Sequence, residues 1–273
     1  MAEGTPTVFE RFTRPVNRLG RKAVAAVAEL GYVGLLLLES LYFAIAGWRV
    51  GQPVRVRSVF EQMRQVGVDA IPIVMLLSFT VGVMLGIQFI AALSEFGAEN
   101  QVVIAVAKSV SREFGVLITG IVVAGRSGSS FAARIGSMNV SQEVDALAVI
   151  GIEPVRYLAS PALAAMLVML PVLTILANAA SILGAALYCS PTLDISVSAY
   201  VVQTLNSLTP GDIGQGLSKS FVFATLITLV GVSTGFSVTG GAEGVGRATT
   251  RAVVLSISSL VIADMMFSYF LNR

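Results

Sequence analysis

The sequence predicts an all-α integral membrane protein, and three features of its 273 residues lead to that class. Hydrophobic residues make up 55% of the chain, charged residues only 12%, and the mean hydropathy is +0.82. A soluble domain usually has about a quarter of its residues charged. The chain also contains several apolar stretches of the length that a helix needs to cross about 30 Å of hydrocarbon. We therefore expect one membrane domain over residues 1–273, with a cytoplasmic or interfacial N-terminal region (1–68) and a transmembrane core (69–273).

The N-terminal region is basic and only partly apolar. Its Arg-rich stretch, which ends at Lys22, is expected on the cytoplasmic side near anionic headgroups. Residues 23–48 are apolar, but Glu29 and Glu39 interrupt them, and carboxylates inside a span are costly. We therefore favour an interfacial elbow helix over an ordinary first span, which is the alternative. Residues 53–68 predict a short amphipathic connector on the cytoplasmic side.

Five transmembrane helices are predicted after this region, separated by polar breaks. They cover residues 71–93, 101–135, 157–188, 217–238 and 252–271. The polar segment 137–153 separates the second span from the third. An outer loop with a short helix is expected over residues 190–214, and a glycine-rich turn over residues 240–246 precedes the last span.

The basic residues predict the orientation of these helices. Nine of the eighteen lie between Arg11 and Arg64, in the N-terminal region. With that region inside, five more fall on the inner side: Arg126, Arg134, Arg156, Arg247 and Arg251. The outer side and its half of the spans keep four: Lys108, Arg112, Lys219 and Arg273. Because basic residues concentrate on the cytoplasmic side of membrane proteins, we expect a cytoplasmic N-terminus and an extracytoplasmic C-terminus.

Enzyme chemistry finds little support in the sequence. Residues 125–128 match the G-x-S-G pattern of rhomboid-type serine proteases, but the chain has no histidine to act as the base. The carboxylate of Glu113 lies about 21 Å from Ser127 along a helix axis, too far for proton transfer. The single cysteine, Cys189, excludes a disulfide and a multi-cysteine metal site. No phosphate-binding loop motif is present, so we expect no catalytic residue, metal or cofactor in this chain, and if ATP is used, another subunit is expected to bind it.

A short cytoplasmic helix is predicted in the polar segment between the second and third spans. Asn139 or Ser141 is expected to cap its N-terminus, and acidic residues follow in its first turn. Gly151, with Pro154 shortly after it, is expected to end the helix. The helix is therefore short and stiff, with both ends tied to spans.

The apolar face of this short helix consists of Val144, Leu147 and Ala148, which suits insertion into a partner protein. The segment from Asp145 to Gly151 also has the spacing of the E-A-A-x-x-x-G loop by which ABC importer permeases dock on their ATPase. The candidate coupling residues are Glu143, Asp145, Leu147 and Gly151. A solvated loop without a partner is the alternative.

Four charged residues lie in apolar surroundings: Arg112, Glu113, Lys219 and Asp264. Each is expensive in lipid and is expected to face the protein interior, a cavity or water. Arg112 and Glu113 are adjacent and are expected to neutralise each other in part. One interpretation is a structural ion pair between helices, such as Glu113 with Lys219. The other is a polar girdle around an apolar pocket, suited to a phosphate headgroup with acyl tails. Asp264 is expected to be structural.

Several motifs, taken together and in order, resemble the MlaE/YrbE family, the permeases of Mce-type lipid ABC transporters. The motifs are SREFGV (111–116), AGRSGSSFAARIGSM (124–138), the stretch 143–161, LSKSFVF (217–223) and GRATTRAV (246–253). The likeness covers roughly residues 70–270, and the N-terminal seventy residues match only in character.

The resemblance implies a homodimeric permease in the bacterial inner membrane, bound to two ATPase subunits and beneath a ring of Mce-domain proteins. It would move phospholipid or a related lipid between the inner and outer membranes and so affect outer-membrane lipid asymmetry. In the family, the lipid-binding positions fall on Arg112, Glu113 and Lys219, and the coupling helix falls on residues 143–151. A small cytoplasmic regulatory subunit is a further partner that the resemblance allows, and no nucleic acid is expected. A non-conducting scaffold that anchors an Mce-domain assembly is the alternative function.

Overall fold

The protein is described here by a computed structural model that covers residues 31–43 and 55–271, together with residues 24, 27 and 28. Every regular element in these residues is helical, which confirms the all-α class. The helices are α1 (Gly31–Phe43), α2 (Val56–Val66), α3 (Ile71–Ser94), α4 (Val102–Ser109), α5 (Gly115–Val123), α6 (Ser129–Val140), α7 (Glu143–Val149), α8 (Ser160–Thr192), α9 (Val197–Ser207), α10 (Pro210–Phe236) and α11 (Gly241–Leu271). Three π-helical turns lie at Val110–Phe114, Ala124–Gly128 and Val155–Ala159.

Four helical stretches of the described residues are long and apolar enough to cross a membrane. They are Val56–Ser94, Val155–Thr192, Pro210–Phe236 and Gly241–Leu271. These stretches contain three of the five predicted spans entirely and all but the last two residues of a fourth, 217–238. Each exposes many large apolar side chains, as expected where lipid rather than water is the solvent.

The predicted second span, residues 101–135, is not one of these four stretches. It lies in an unbroken helical run from Val102 to Val140, in which π-helical turns join α4 to α5 and α5 to α6. This run lies beside α10 and contacts it in two places. Towards the start of the run, Arg112 forms an ion pair with Asp212. At its end, the Asn139 side chain donates hydrogen bonds of 3.0 Å to the backbone carbonyls of Phe236, the last residue of α10, and of Val238 just after it. The run therefore extends through the same layer of the bundle as α10, and the total of five spans stays a prediction.

Helices α3 and α8 form the tightest pair in the bundle. The Ser181 hydroxyl on α8 donates to the Ser78 carbonyl on α3 at 2.8 Å, and both residues are buried. A Cβ added to Gly82 would lie 1.9 Å from the Ser181 carbonyl oxygen, so the two backbones touch where small residues meet. Larger apolar residues of α5, α8 and α10 fill the core beside this pair, for example Leu170 and Phe223.

The N-terminal region is described only in part. Helix α1 packs Leu36 and Ser40 against the bundle, while Glu39 faces outward. It is shorter than a full span, but Glu29 and the ends of the 23–48 stretch lie outside the described residues, so the choice between an interfacial helix and a span stays open. The basic stretch 1–22 also lies outside them. The predicted connector is present as α2, a strongly amphipathic helix that leads into α3.

Two of the predicted helix boundaries were wrong. Helix α10 begins at Pro210 and not at residue 217, because Thr209 and Asp212 form a reciprocal capping box that starts the helix seven residues earlier. Helix α11 begins at Gly241 and not at residue 252. Gly240 and Gly241 have positive φ angles and make the turn, but the later glycines of that segment are helical.

Candidate functional site

Arg112 and Asp212 form a partly buried ion pair between the π-helical turn after α4 and the first turn of α10. The Arg112 Nε and Nη2 atoms each lie 2.5 Å from the Asp212 Oδ1 atom. The other oxygen of Asp212, Oδ2, accepts from the backbone N–H of Thr209 at 2.8 Å and from its hydroxyl at 2.9 Å. Asp212 is 1% exposed, so its charge depends on these donors, which also fix the start of α10.

Lys219 lies two turns further along α10, and its side chain is completely buried. Its ammonium forms an ion pair with Glu113 of the π-helical turn and lies 2.9 Å from the Asp264 Oδ1 atom of α11. The Ser268 hydroxyl completes the group, because it donates to Glu113 at 2.9 Å and lies 3.3 Å from the Lys219 ammonium. One lysine therefore joins three helical elements of the bundle.

The close approach of α10 to the π-helical turn depends on a glycine. A Cβ at Gly216 would lie 2.3 Å from the Ser111 carbonyl oxygen, so any side chain there would push the two elements apart. Gly216 lies between Asp212 and Lys219, one turn from each. The π-helical turn places Arg112 and Glu113 on this side of the run, and such turns are frequent at functional sites. The local backbone thus sets both ion pairs at once.

The structure brings the three predicted lipid-binding residues together in one place. We call this group the charge cluster: Arg112, Glu113, Asp212, Lys219, Asp264 and Ser268. The expectation that Arg112 and Glu113 neutralise each other was wrong, because each pairs with a different partner on α10. The ion pair between Glu113 and Lys219 is present, and Asp264 is part of it. The side chains of Arg112 and Glu113 stay 37% and 30% exposed, so the cluster is open on one side.

Sequence reasoning missed Asp212 and Ser268. Asp212 was assigned to the outer loop, although the run Thr209-Pro210-Gly211-Asp212 carries a recognisable signal. Threonine followed three residues later by an acid, with proline at the first helical position, is typical of a helix start. Ser268 carries no such signal, because a serine one turn after an acid on an apolar helix is common.

The short helix α7 is present between the second and third predicted spans, but its caps differ from the prediction. Neither Asn139 nor Ser141 caps it: the Asn139 side chain donates to α10, and the Ser141 hydroxyl donates to the Glu143 carboxylate at 2.8 Å. The chain instead turns into α7 at Gln142, which has a left-handed backbone. Gly151 ends the helix as predicted: with a φ of 81°, it allows the Ile152 N–H to reach the Leu147 carbonyl at 2.9 Å.

The apolar face of α7 is divided between the core and the surface. Val144 is buried in the core, Leu147 is half-buried and Ala148 is exposed, so of the predicted face only Val144 is unavailable to a partner. The exposed apolar side chains are Val149 and Ile150 at the end of the helix, 86% and 68% exposed. Glu143, Asp145 and Gly151 are exposed and Leu147 is half-buried, and the coupling role of these four residues stays a prediction.

These features define a multi-pass membrane protein with charged groups held inside its helix bundle. Charges inside spans are rare in membrane proteins, and they usually mark the path of a substrate or an ion. Buried charges of this kind are a feature that membrane transport proteins share.

Comparison with known proteins identifies the family. A family model described as Permease MlaE matches residues 59–270. A probable ABC transporter permease protein of Rickettsia felis is 32% identical over 256 residues, which cover 92% of this chain and 97% of the relative. A protein of the same description from Synechocystis is 34% identical over 213 residues, 78% of this chain and 81% of the relative. The chloroplastic protein TRIGALACTOSYLDIACYLGLYCEROL 1 of Arabidopsis thaliana is 36% identical over 214 residues, 78% of this chain and 61% of the plant protein.

The chain belongs to the MlaE permease family. The match covers most of the chain and includes the whole charge cluster, as well as α7. The resemblance drawn from the sequence motifs is thereby confirmed, and the protein is a multi-pass membrane permease.

Proposed function

We propose that this chain is the permease subunit of an ABC transporter that moves phospholipid, or a related lipid, between the inner and outer membranes of a bacterium. The charge cluster carries this proposal. Its Lys219 side chain is completely buried, whereas the side chains of Arg112 and Glu113 are partly exposed at the surface of the bundle. A polar group of this kind next to an apolar surface suits a molecule with a phosphate headgroup and acyl tails. A cationic side chain can bind the phosphate as a charge-assisted hydrogen-bond donor.

The chain itself offers no recognisable site for ATP, so the energy would come from a separate ATPase subunit. Helix α7 is the candidate contact, because Val149 and Ile150 are exposed at its C-terminal end and the acidic residues Glu143 and Asp145 are exposed in its first turn. Exposed apolar groups at a helix end suit a groove on a partner. Closure of the ATPase would then move α7, and with it the predicted second and third spans that flank it.

Further partners follow from the family and from the surface of the bundle. Helix α11 buries few of its large apolar side chains, and a second copy of the chain would cover part of that surface. An Mce-domain protein on the outer side would receive or deliver the lipid, and a small cytoplasmic subunit would regulate the ATPase. Relatives named as ABC transporter permeases support the ATPase, and the plant relative, which is named after a glycerolipid, supports a lipid cargo.

The experiment replaces Lys219 by alanine and measures lipid transfer between membranes by the whole complex. We expect transport to fall strongly while the ATPase and the Mce-domain protein still co-purify. Lys108→Ala is the matched control, because Lys108 lies outside the charge cluster on the same half of the bundle. A non-conducting scaffold is the second outcome: in that case, both variants would leave lipid transfer unchanged, and the permease proposal would be wrong.

A further inference from the structure

A polar cavity lies roughly 20 Å from the charge cluster along the helix axis, towards the end of the run from Val102 to Val140. It has a volume of about 180 Å³ and lies between α2, with the turn that follows it, and the π-helical turn Ala124–Gly128. Polar residues line both walls: Gln65 and Asp69 on one, and Arg126, Ser127 and Ser130 on the other. One water takes up ~30 Å³ in the liquid, so the cavity is large enough for a phosphate group.

The Arg126 guanidinium uses little of its hydrogen-bonding capacity within the protein. Its Nη1 atom donates to the Gln65 carbonyl at 3.1 Å, and its Nη2 atom lies 3.8 Å from the Asp69 Oδ2 atom, which is too far for a hydrogen bond. A guanidinium carries five N–H donors. The Arg126 side chain is 39% exposed and lines the cavity, so it keeps donors for a ligand there.

Two serine hydroxyls of the cavity wall have no hydrogen-bond partner in the part of the chain that the structure describes. They belong to Ser127, which is only 3% exposed, and to Ser130. A helical serine usually bonds to a carbonyl one turn earlier, as Ser129 does to Gly125 at 2.6 Å. A buried hydroxyl without a partner is costly, and the oxygens of a ligand in the cavity would supply partners for both serines.

The charge around the cavity is positive. Asp69 is the carboxylate of its walls, and protonation of Asp69 would only add to the positive charge. Arg134, one turn beyond Ser130, lies 5.9 Å from the Phe131 ring and beside Gln62, and it forms no ion pair with a described carboxylate. Apart from the charge cluster, the other charges of the elements packed here are Arg55, Arg64, Arg251 and two exposed pairs, Arg57 with Glu61 and Arg247 with Glu243.

We propose that this cavity binds a phosphate group through Arg126, Ser127 and Ser130, and that the phosphate is the headgroup of a phospholipid in the cytoplasmic leaflet. The guanidinium donates charge-assisted hydrogen bonds, and the two hydroxyls complete the site. Apolar surface for acyl chains adjoins it, because Phe60 of α2 and Val68, next to Asp69, are 65% and 53% exposed. A strongly amphipathic helix such as α2 lies at the depth of the headgroups, on the cytoplasmic side in the predicted orientation.

This inference goes beyond the proposed function, because it does not require that the charge cluster binds lipid. The same contacts have a purely structural explanation, in which Arg126 caps the last turn of α2 and holds that helix against the bundle. The two explanations differ in what Ser127 and Asp69 do. A structural contact has no use for an unpartnered hydroxyl, and it gains nothing when Asp69 is neutralised.

The test locates a photoreactive phospholipid on the chain. The full complex is reconstituted in nanodiscs that contain a small, non-saturating fraction of a phospholipid with a diazirine beside its phosphate. After irradiation, proteolysis and tandem mass spectrometry identify the labelled residues. We expect label between residues 124 and 134. Millimolar inorganic phosphate is added in a parallel sample and is expected to leave this label unchanged, because a free phosphate lacks the acyl chains.

Three variants give signed expectations. Ser127→Ala should reduce the label about fivefold, as the loss of one hydrogen bond implies, without lowering the Tm. Arg126→Gln should reduce it about tenfold, because its hydrogen bonds are charge-assisted. Asp69→Asn should increase it about twofold, because a carboxylate no longer opposes the phosphate beside Arg126. Arg57→Gln is the matched control: it removes an exposed cation of α2 outside the cavity and should leave the label unchanged.

If Arg126→Gln does not fold, the opposite effects of Ser127→Ala and Asp69→Asn still test the site. Absence of label between residues 124 and 134, or label that Ser127→Ala and Asp69→Asn both leave unchanged, would overturn the proposal in favour of the structural contact. Displacement of the label by inorganic phosphate would overturn the lipid source and assign the site to a soluble phosphate. The proposed function fails separately, when Lys219→Ala leaves lipid transfer unchanged, whatever label Ser127 carries.

Discussion

Asp212 offers the sharpest test of how the bundle is held together, because one carboxylate serves two purposes. One oxygen binds Arg112 across the bundle at 2.5 Å, and the other completes the capping box of α10 with Thr209. The variant Asp212→Asn keeps the shape and one accepting oxygen but removes the negative charge. The variant Thr209→Ala removes the hydroxyl from the cap and leaves the ion pair in place. Comparison of the two variants separates the pair from the cap.

The expected magnitudes follow from burial. Removing one partner of a buried ion pair typically destabilises a protein by about 3–5 kcal/mol. Because the Arg112 side chain is 37% exposed, water or headgroups can solvate it once its partner is lost. We therefore expect about 2–3 kcal/mol for Asp212→Asn. Loss of a capping side chain costs about 1 kcal/mol, which we expect for Thr209→Ala.

The measurement is thermal unfolding of the purified variants in one detergent. A loss of 1 kcal/mol lowers the Tm of a domain of this size by about 2–4 °C, so Thr209→Ala should show that shift and Asp212→Asn two to three times as much. Asp194→Asn, at an exposed acid of the outer loop, is the control and should stay within about 0.5 kcal/mol. Equal shifts for Asp212→Asn and Thr209→Ala would refute the role of the ion pair.

Two further predictions concern backbone contact and coupling. Gly216→Ala should lower the Tm and reduce lipid transfer, because its Cβ would collide with the Ser111 carbonyl, whereas Gly214→Ala on the same helix meets nothing within 4 Å and should be neutral in both assays. Replacing both Val149 and Ile150 by aspartate should reduce co-purification of the ATPase at least tenfold without changing the Tm. Unchanged co-purification would exclude the end of α7 as the contact.

The fold class and the element order could be predicted from the sequence because both depend on local composition. Apolar stretches of sufficient length, separated by polar breaks, placed the predicted spans on α3, the run from α4 to α6, α8, α10 and α11. The errors came from ends where side-chain geometry decides. The capping box at Thr209 extended α10, and the helical glycines beyond Gly241 extended α11.

The candidate site, too, was predicted from the sequence only in part. Arg112, Glu113 and Lys219 were recognisable because a charge within an apolar stretch is conspicuous at any position. Their partners were not, because Asp212 and Asp264 lie 100 and 45 residues from the groups they meet. On α7, the periodicity grouped Val144, Leu147 and Ala148 on one face, but Val144 packs into the core and the most exposed large apolar side chains are Val149 and Ile150. The sequence alone does not show which apolar side chains of α7 pack against the rest of the bundle and which stay exposed.

The sequence by itself thus determined that lipid surrounds much of the protein, that the fold is helical, and that charged residues occur within apolar stretches. These properties follow from residue type and spacing along one chain. Only the tertiary structure decided which charges meet, how many carboxylates share Lys219 and which side of the charge cluster stays open. Ion pairing depends on distances of a few ångströms between helices, and those distances are set by close contacts such as the one at Gly216.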